Sequence, residues 1–289
     1  MASRLSKPDW LKVRIPSGEG FAAVSSSLRS RGLHTVCEEA KCPNKAECWG
    51  SRTATFMILG DVCTRNCEFC AVKTGKAGAP MDEEEPGKLA QAVSELKLSY
   101  VVLTSVDRDD LPDGGAAHIA ATIRAIKTLR PGTRVEVLVP DFHGDPAAIQ
   151  TVLHARPEVF NHNVETVRRL QATVRPHAGY ETSLSVLATA AHLAPDLPVK
   201  SGLMVGLGET DEEVTETLAD LARAGVALVT IGQYLRPSSR HLPVDRYVPP
   251  DEFETYRQVG LALGLNHVIA GPFVRSSYHA EEAASQAGL

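Results

Sequence analysis

Six cysteines lie within a short stretch near the start of the chain, in two groups of three. The first triplet, in "CEEAKCPNKAEC", is Cys37, Cys42 and Cys48; the second triplet, in "CTRNCEFC", is Cys63, Cys67 and Cys70. Clustered thiolates are soft ligands that favour zinc or iron–sulfur clusters. Disulfides are the weaker interpretation, because the chain is long and carries no secretory signal, which places its thiols in a reducing compartment.

The spacing of the cysteines favours iron–sulfur clusters over zinc. A structural zinc site needs four ligands and is typically built from paired C-x2-C steps. This chain has one such step, from Cys67 to Cys70, although His34 could complete a zinc site at the first triplet. A cubane can be held by three cysteines with its fourth iron left to another ligand. The sequence therefore predicts two cubanes, each one cysteine short, with zinc as the alternative.

Length and composition predict one folded α/β domain with short extensions. The chain has 289 residues, of which 43% are hydrophobic and 22% are charged. The net charge of −5 argues against a general nucleic-acid-binding protein. The sequence contains no apolar run long enough for a membrane span, and its first residues lack the apolar core of a secretory signal. We expect a cytoplasmic protein that binds neither nucleic acid nor membranes.

Short β-branched segments alternate with amphipathic segments along most of the chain. Strands are predicted at 53–59, 99–106, 134–142, 158–166, 198–208 and 228–235. Helices are predicted at 86–97, 114–130, 145–156, 180–194, 210–224 and 250–264. A capping box from Thr210 to Glu213 and first-turn prolines at Pro86 and Pro250 mark helix starts. This alternation is typical of parallel βαβ units.

Six such units predict a partial parallel (β/α)6 TIM-like barrel, with an open doubly wound sheet as the alternative. In either fold, ligands bind at the carboxyl ends of the strands. The second triplet follows the first predicted strand, so its metal should lie at that end. We expect an N-terminal extension over 1–52 that carries the first triplet, a barrel over 53–270, and a C-terminal segment over 271–289, with both extensions capping the mouth.

Both cysteine motifs resemble those of one enzyme family. "CTRNCEFC", with aromatic Phe69 before its last cysteine, is similar to the C-x3-C-x2-C signature of radical S-adenosylmethionine enzymes. "CEEAKCPNKAEC" has the C-x4-C-x5-C spacing of the auxiliary cluster of lipoyl synthases. The resemblance covers nearly the whole chain and includes "TSVDRDDLPDGGA" (104–116), "FNHNVETV" (160–167), "KSGLMVGLGET" (200–210), "IGQYLRPS" (231–238) and "GPFVRSSYHA" (271–280). The chain is identified as a member of the lipoyl synthase family.

The resemblance implies two 4Fe–4S clusters and S-adenosylmethionine as cofactors. The second triplet would hold the cluster that cleaves S-adenosylmethionine, giving a radical that removes hydrogen from unactivated carbon. The first triplet would hold an auxiliary cluster that supplies sulfur to C6 and C8 of an octanoyl group on a carrier lysine. In the family a serine of the "RSSY" motif (275–278) ligates the auxiliary cluster. We assign that role to Ser277, with Ser276 as the alternate.

The resemblance also implies protein partners. The substrates would be octanoylated lipoyl carrier domains, namely E2 subunits of 2-oxoacid dehydrogenases and the glycine cleavage H protein. A ferredoxin or flavodoxin would supply electrons, and iron–sulfur carrier proteins would supply clusters. Arg236, Arg240 and Arg246 are predicted to help dock an acidic carrier, although a solvated loop explains them equally well.

Several polar residues are predicted to contact S-adenosylmethionine. "NHNVET" would place Asn161, Asn163 and Glu165 on one face of a strand, directed into the barrel. Arg175 would pair with the carboxylate of the cofactor or, alternatively, form a surface ion pair. The complete set of predicted cofactor contacts is Phe69, Thr104, Ser105, Asn163, Glu165, Arg175 and Lys200.

Two other functions remain open at this point. A sulfur-inserting enzyme of the biotin synthase type would ligate its second cluster from within the barrel, whereas here the extra cysteines precede it. An iron–sulfur or zinc carrier or scaffold would need neither the barrel nor the "NHNVET" strand.

Overall fold

The computed structural model describes residues 6–12, 19–50, 55–278 and 280–281. Within these residues a mixed sheet of eight strands forms the centre of the fold, and two further short strands pair with each other. The strands are β1 (His34–Thr35), β2 (Thr55–Ile58), β3 (Val62–Cys63), β4 (Lys73–Thr74), β5 (Tyr100–Ser105), β6 (Arg134–Leu138), β7 (Val159–Asn161), β8 (Val199–Val205), β9 (Leu228–Gln233) and β10 (His267–Gly271).

The sheet order is β1-β2-β5-β6-β7-β8-β9-β10, and every neighbouring pair is parallel except β1 with β2. No pairing between β1 and β10 closes the sheet within the described residues. The six predicted strands and the partial parallel barrel are therefore confirmed. The predicted first strand began at residue 53, and its first two residues lie outside the described part of the chain.

Ten α-helices occur in the described residues, and six of them are those predicted from the sequence. They are α1 (Glu19–Arg31), α2 (Val36–Glu39), α3 (Lys45–Gly50), α4 (Glu85–Glu95), α5 (Ala116–Leu129), α6 (Pro146–Leu153), α7 (Gln171–Val174), α8 (Tyr180–Leu193), α9 (Asp211–Arg223) and α10 (Pro250–Ala262). Short 3-10 turns occur at Asp9–Leu11, Phe142–Gly144 and Arg168–Leu170. None of the described helices is both long and apolar enough to cross a membrane.

The predicted capping box starts α9. Thr210 Oγ1 accepts a hydrogen bond from Glu213 N at 3.3 Å, and the Glu213 carboxylate accepts one from Thr210 N at 2.9 Å. These bonds satisfy backbone N–H groups that have no partner inside the helix. The preceding turn uses Gly206 and Gly208 at positive φ of 96° and 101°, which glycine adopts without steric cost.

The core lies between the parallel strands and the helices that cover their outer face. Ile119 and Ile123 of α5 are buried with Val101 and Leu103 of β5 in one hydrophobic cluster. The N-terminal extension joins this same cluster through residues such as Trp49 of α3, which is fully buried. The first triplet is therefore packed onto the barrel.

The C-terminal segment binds to the N-terminal extension. Asn44 Nδ2 donates to Phe273 O at 2.7 Å, and the Tyr278 hydroxyl hydrogen-bonds the Glu47 carboxylate at 2.9 Å. Two segments far apart in sequence therefore meet beside the barrel.

Candidate metal and cofactor cavity

One cavity of about 630 Å³ brings both cysteine triplets and the C-terminal motif together. Its lining includes side chains from the carboxyl ends of the parallel strands and from both extensions. Seven of the predicted ligand residues line it, namely Cys37, Cys42, Cys63, Cys67, Cys70, Ser276 and Ser277. Cys48 is not among the lining residues; it lies in α3 and packs partly buried against the core.

The three cysteines of the second triplet are half-buried and line the same cavity. Burial raises the pKa of Cys63 to about 11, of Cys67 to about 12 and of Cys70 to about 11. Each pKa is raised further by another thiolate of the same triplet. Three mutually repelling thiolates in a half-buried site need positive charge to offset them, and an iron–sulfur cluster supplies it.

The described residues contain no group of three or more His, Cys, Asp or Glu side chains placed to hold a single metal ion. A cubane bonds each cysteine to a different iron atom, so its ligand sulfurs need not converge on one point. The soft donors and their shared cavity fit a cluster at the second triplet.

Arg65 fixes the loop that carries the second triplet. Its Nη1 and Nη2 donate to the two carboxylate oxygens of Asp141 at 2.6 and 2.7 Å, and its Nε and Nη2 donate to Asp109 at 3.0 and 2.9 Å. Burial alone would raise the pKa of Asp141, but the Arg65 guanidinium outweighs it and lowers that pKa to about 2. Thr64 N also donates to Asp107 O at 3.0 Å, so the loop is bound to the ends of β5 and β6.

We expect Arg65→Ala to lower the free energy of unfolding by about 3–5 kcal/mol, because it leaves buried carboxylates without their partner. Arg65→Lys should lose less, since it keeps the charge but not the two-pronged geometry. Denaturant unfolding of the metal-free protein measures both effects.

Arg108 provides the matched control. It is as buried as Arg65 but pairs with Asp110, outside the cluster loop. Arg108→Ala should lower stability while iron binding at the second triplet persists. Equal iron loss in the Arg65 and Arg108 variants would contradict a specific role of Arg65 in positioning this loop.

In the first triplet Cys37 is buried, Cys42 and Cys48 are half-buried, and two basic residues, Lys45 and Arg275, lie nearby. Burial raises the pKa of Cys37 and of Cys42, and a thiolate at Cys42 would raise the pKa of Cys37 further. Arg275 acts in the opposite direction and lowers the pKa of Cys42. Arg275 is itself half-buried and lines the cavity. Its charge lies where a cluster with thiolate ligands would carry negative charge.

The two adjacent serines of the C-terminal motif have different surroundings. Ser276 Oγ exchanges hydrogen bonds with the side-chain amide of Asn163, accepting from Nδ2 at 2.7 Å and donating to Oδ1 at 2.9 Å. Ser277 also lines the cavity. Its hydroxyl makes no hydrogen bond to another residue in the described part of the chain. Ser277 is therefore the serine whose oxygen remains available for a further bond.

Six of the seven predicted cofactor contacts line the cavity: Phe69, Thr104, Ser105, Asn163, Glu165 and Arg175. The strand predicted over 158–166 was too long, because β7 ends at Asn161. Glu165 has a positive φ of 66° and forms an isolated bridge to Leu203. Asn161 is not a lining residue, and its Nδ2 donates to Glu136 Oε1 at 3.0 Å.

Arg175 is buried, so it does not form the surface ion pair that was its alternative interpretation. Its Nη1 donates to Asn163 O at 3.1 Å and to Ser183 Oγ at 3.2 Å. Its Nε and the hydroxyl of Ser105 are buried without a hydrogen-bond partner in the described part of the chain. Because buried polar groups are normally paired, these two groups fit a polar ligand in the cavity.

Lys200 lies in a buried ion pair outside the cavity lining. Its Nζ is 2.8 Å from Glu136 Oε1, and the Tyr100 hydroxyl donates to Glu136 Oε2 at 2.8 Å. A fully buried lysine needs such a partner to remain charged. This placement does not support the predicted contact between Lys200 and the cofactor.

Basic side chains predominate around the cavity. The basic lining residues are Lys7, Lys41, Arg65, Arg175, Arg236 and Arg275, whereas the acidic ones are Asp107 and Glu165. Such a surface attracts anionic ligands. Arg65 and Arg275 were not predicted as site residues, although Arg65 lies in "CTRNCEFC" and Arg275 lies in "RSSY".

Two family models match the chain. Residues 57–221 match the Radical SAM superfamily, and residues 1–42 match the N-terminal domain of lipoyl synthase of the Radical SAM family.

Curated relatives match over nearly the whole length. The lipoyl synthase of Rubrobacter xylanophilus is 57% identical over 279 residues, covering 96% of this chain and 87% of the relative. The lipoyl synthase of Thermus thermophilus is 57% identical over 277 residues, covering 96% of this chain and 86% of the relative. Among solved structures, HydG, a maturase of the [FeFe]-hydrogenase, aligns with a TM-score of 0.59 at 14% identity over 92% of this chain and 66% of that one. The structural match shows a shared fold only.

Proposed function

Because the chain belongs to the lipoyl synthase family of the radical SAM superfamily, we propose that it inserts sulfur at C6 and C8 of an octanoyl group bound to a carrier lysine. The product is a lipoyl group, and the cofactors are S-adenosylmethionine and two 4Fe–4S clusters. The observation that carries the proposal is the single cavity lined by cysteines of both triplets. A shared cavity lets one substrate chain reach the groups that remove hydrogen and the group that supplies sulfur.

We assign the cluster that works with S-adenosylmethionine to Cys63, Cys67 and Cys70. When bound, that cluster and S-adenosylmethionine supply radical removal of hydrogen from unactivated carbon. The protein contributes position, because the pairing of Arg65 with Asp141 holds the cluster loop against the strand ends. The three cysteines are half-buried, so the cavity wall shields part of that chemistry from water.

We assign binding of S-adenosylmethionine to polar groups on the cavity wall. The unpaired Nε of Arg175 and the hydroxyl of Ser105 are suited to donate hydrogen bonds to its carboxylate. Burial raises the pKa of Glu165, but Arg175 opposes that shift and Asn163 donates to its carboxylate at 3.0 Å. A carboxylate at this position is suited to accept hydrogen bonds from the amino group or ribose of the cofactor.

We assign the auxiliary cluster to Cys37, Cys42 and Cys48 with Ser277 as the fourth ligand. The support is that Cys37, Cys42 and Ser277 line the same cavity and that Arg275 lies near Cys42. An alkoxide is a harder ligand than a thiolate and matches iron–sulfur iron less well. A weaker bond between Ser277 and its iron suits a cluster that must give up sulfur.

Anaerobic turnover on an octanoyl-lysyl peptide tests the proposal. With reductant and S-adenosylmethionine, mass spectrometry should show a peptide that has gained two sulfur atoms as a dithiol, and that loses two hydrogens when the dithiol is oxidised to the cyclic disulfide of the lipoyl group. A product with one sulfur would indicate different chemistry, and cleavage of S-adenosylmethionine without any sulfur transfer would contradict the proposal.

We further propose that acidic lipoyl carrier domains dock beside the arginines that follow β9. Arg236 lines the cavity, and its guanidinium is held by the carbonyls of His241 and Ser239 at 2.8 and 2.6 Å. Arg240 is exposed. Arg246 is engaged instead with Glu252 at 2.6 Å, which leaves Arg236 and Arg240 as the better candidates.

Arg240→Glu is expected to slow association with an intact carrier protein by roughly two- to fivefold, the effect of an exposed charge pair. The difference should shrink as salt is added, because steering is screened. Stopped-flow binding at two ionic strengths measures it. Arg124→Glu, an exposed charge reversal on α5, is the control and should change nothing. Turnover of the short octanoyl peptide should be equal in both variants, and an Arg240 variant that binds the whole carrier normally would contradict docking here.

A further inference from the structure

The turn that carries Cys67 and Cys70 is held by backbone hydrogen bonds on both sides. Cys70 N donates to Cys67 O at 3.0 Å, which closes the turn. In the middle of the turn, Glu68 N donates to Val174 O at 3.0 Å, and Leu242 N donates to Glu68 O at 3.2 Å. The turn therefore lies between the end of α7 and the loop that joins β9 to α10, here called the β9–α10 loop.

His241 of the β9–α10 loop adds a side-chain contact to the same turn. Its Nε2 lies 2.9 Å from Cys70 O, and its Nδ1 lies 2.8 Å from Ser238 Oγ. Because a carbonyl oxygen only accepts hydrogen bonds, Nε2 carries the hydrogen and donates to Cys70 O. In the neutral ring, Nδ1 then accepts from the Ser238 hydroxyl. Both ring nitrogens are bonded, which fixes the orientation of the imidazole.

The β9–α10 loop holds His241 in place through hydrogen bonds of its own. Tyr234 directly follows β9 and is buried, and its hydroxyl donates to Leu242 O at 2.9 Å. Arg236 Nε donates to His241 O at 2.8 Å. The backbone at His241 is therefore fixed relative to the end of β9, and the imidazole fixes Cys70 relative to the same strand end.

The support at Cys70 is separate from the one that Arg65 provides. Arg65 binds Asp109 and Asp141 at the ends of β5 and β6, close in sequence to Cys63. In the sheet, β7 and β8 lie between those two strands and β9. The loop that carries the second triplet is therefore held from two different parts of the barrel, one near its start and one at its last cysteine.

We propose that His241 is a positioning residue for the cluster at the second triplet, because it fixes the backbone of one ligand, Cys70. The proposal rests on the proposed function, since it requires a cluster at this triplet. Hydrogen bonds around a metal ligand hold that ligand in place and increase retention of the metal. His241 directly follows Arg240 in the chain, so the loop proposed to receive the carrier also holds Cys70.

The first test uses the full chain with Cys37, Cys42 and Cys48 replaced by alanine, so that a cluster can assemble only at the second triplet. After anaerobic reconstitution, the rate of iron release to a chelator is measured. In His241→Asn the side chain ends near the position of Nδ1 and does not reach Cys70 O. This variant should release iron roughly fivefold faster than the parent, the effect of losing one hydrogen bond.

His241→Gln is the rescue variant. Its longer amide side chain can place an N–H near the position of Nε2 and donate to Cys70 O, so its iron release should stay near the parental rate. His154→Asn is the matched control, because His154 is exposed and lies at the end of α6. Its iron release should equal that of the parent.

A second measurement needs no cluster. In the metal-free chain with all six cysteines, hydrogen exchange followed by mass spectrometry reports how firmly the segment 63–70 is held. His241→Asn should raise the exchange rate of this segment roughly fivefold, whereas His241→Gln should leave it unchanged. Exchange in α5 should be the same in the wild type and in both variants.

The outcomes separate the two proposals. A parent protein that binds no iron overturns the assignment of a cluster to the second triplet, and with it the role of His241. A parent that binds a cluster, together with a His241→Asn variant that releases iron and exchanges the segment 63–70 at the parental rates, overturns the role of His241 alone.

Discussion

Cys67→Ala is expected to abolish cleavage of S-adenosylmethionine, whereas Cys42→Ala is expected to retain cleavage and lose sulfur insertion. The reason is the separation of the two triplets: Cys67 lies in the loop held by Arg65, and Cys42 lies in the N-terminal extension near Arg275. Each variant should keep the cluster that its substitution does not touch. Reconstituted wild type should hold about eight irons and each variant about four, counting four per cubane.

Two products are measured in the same anaerobic reaction, namely 5′-deoxyadenosine and lipoyl-lysine. Cys67→Ala should form neither, and Cys42→Ala should form only the first. Thermal unfolding of each variant checks that the fold is intact. If Cys42→Ala still made lipoyl product at the wild-type yield, the first triplet would not be the source of sulfur.

Ser277→Ala should cleave S-adenosylmethionine normally and deliver sulfur roughly 10–100-fold more slowly, the range expected when a contact that holds a metal centre is lost. Ser277→Cys should hold the auxiliary cluster more firmly, because thiolate is the better match for its iron. That variant should also release sulfur poorly. The rate of lipoyl formation and the rate of iron release to a chelator, measured together, distinguish the two effects.

Ser276→Ala is the matched comparison for Ser277→Ala. The two serines are adjacent, so the sequence alone does not distinguish which of them is the ligand. It removes the paired hydrogen bonds to Asn163, each worth about 1 kcal/mol. Its effect should therefore appear as weaker binding of S-adenosylmethionine, with sulfur delivery per cleavage unchanged. If both alanine variants inserted sulfur at the wild-type rate, serine ligation would have no part in the reaction.

The local features of this fold were predictable from the sequence, but several long-range contacts were not. The six strands and six helices follow from periodicity and from cap residues such as Thr210. The fold also contains β10, a short parallel strand at the sheet edge, which was missed because five residues after a glycine turn give little pattern. Helices α2 and α3 are four and six residues long, too short to produce a periodic signal.

The candidate site shows the same division. The cysteines were identifiable because their spacing alone indicates shared ligation. The partner of Arg65 was not, since Asp141 lies 76 residues away and several other carboxylates were equally available. Lys200 illustrates a related point: a lysine directed into a barrel can serve a ligand or a neighbouring strand, and here its Nζ pairs with Glu136.

The bond between Asn44 and Phe273 has a consequence for the order in which the protein matures. These residues are 229 positions apart, so Asn44 leaves the ribosome long before its partner is made. All three cysteines of the second triplet occur within eight consecutive residues and emerge together. If Ser277 completes the proposed cluster at the first triplet, that cluster must wait until the C-terminal segment has been made. During synthesis, which proceeds from the N-terminus, the cluster proposed to cleave S-adenosylmethionine can therefore be loaded early, whereas the proposed sulfur-donating cluster can gain its serine ligand only after the C-terminal segment has been made.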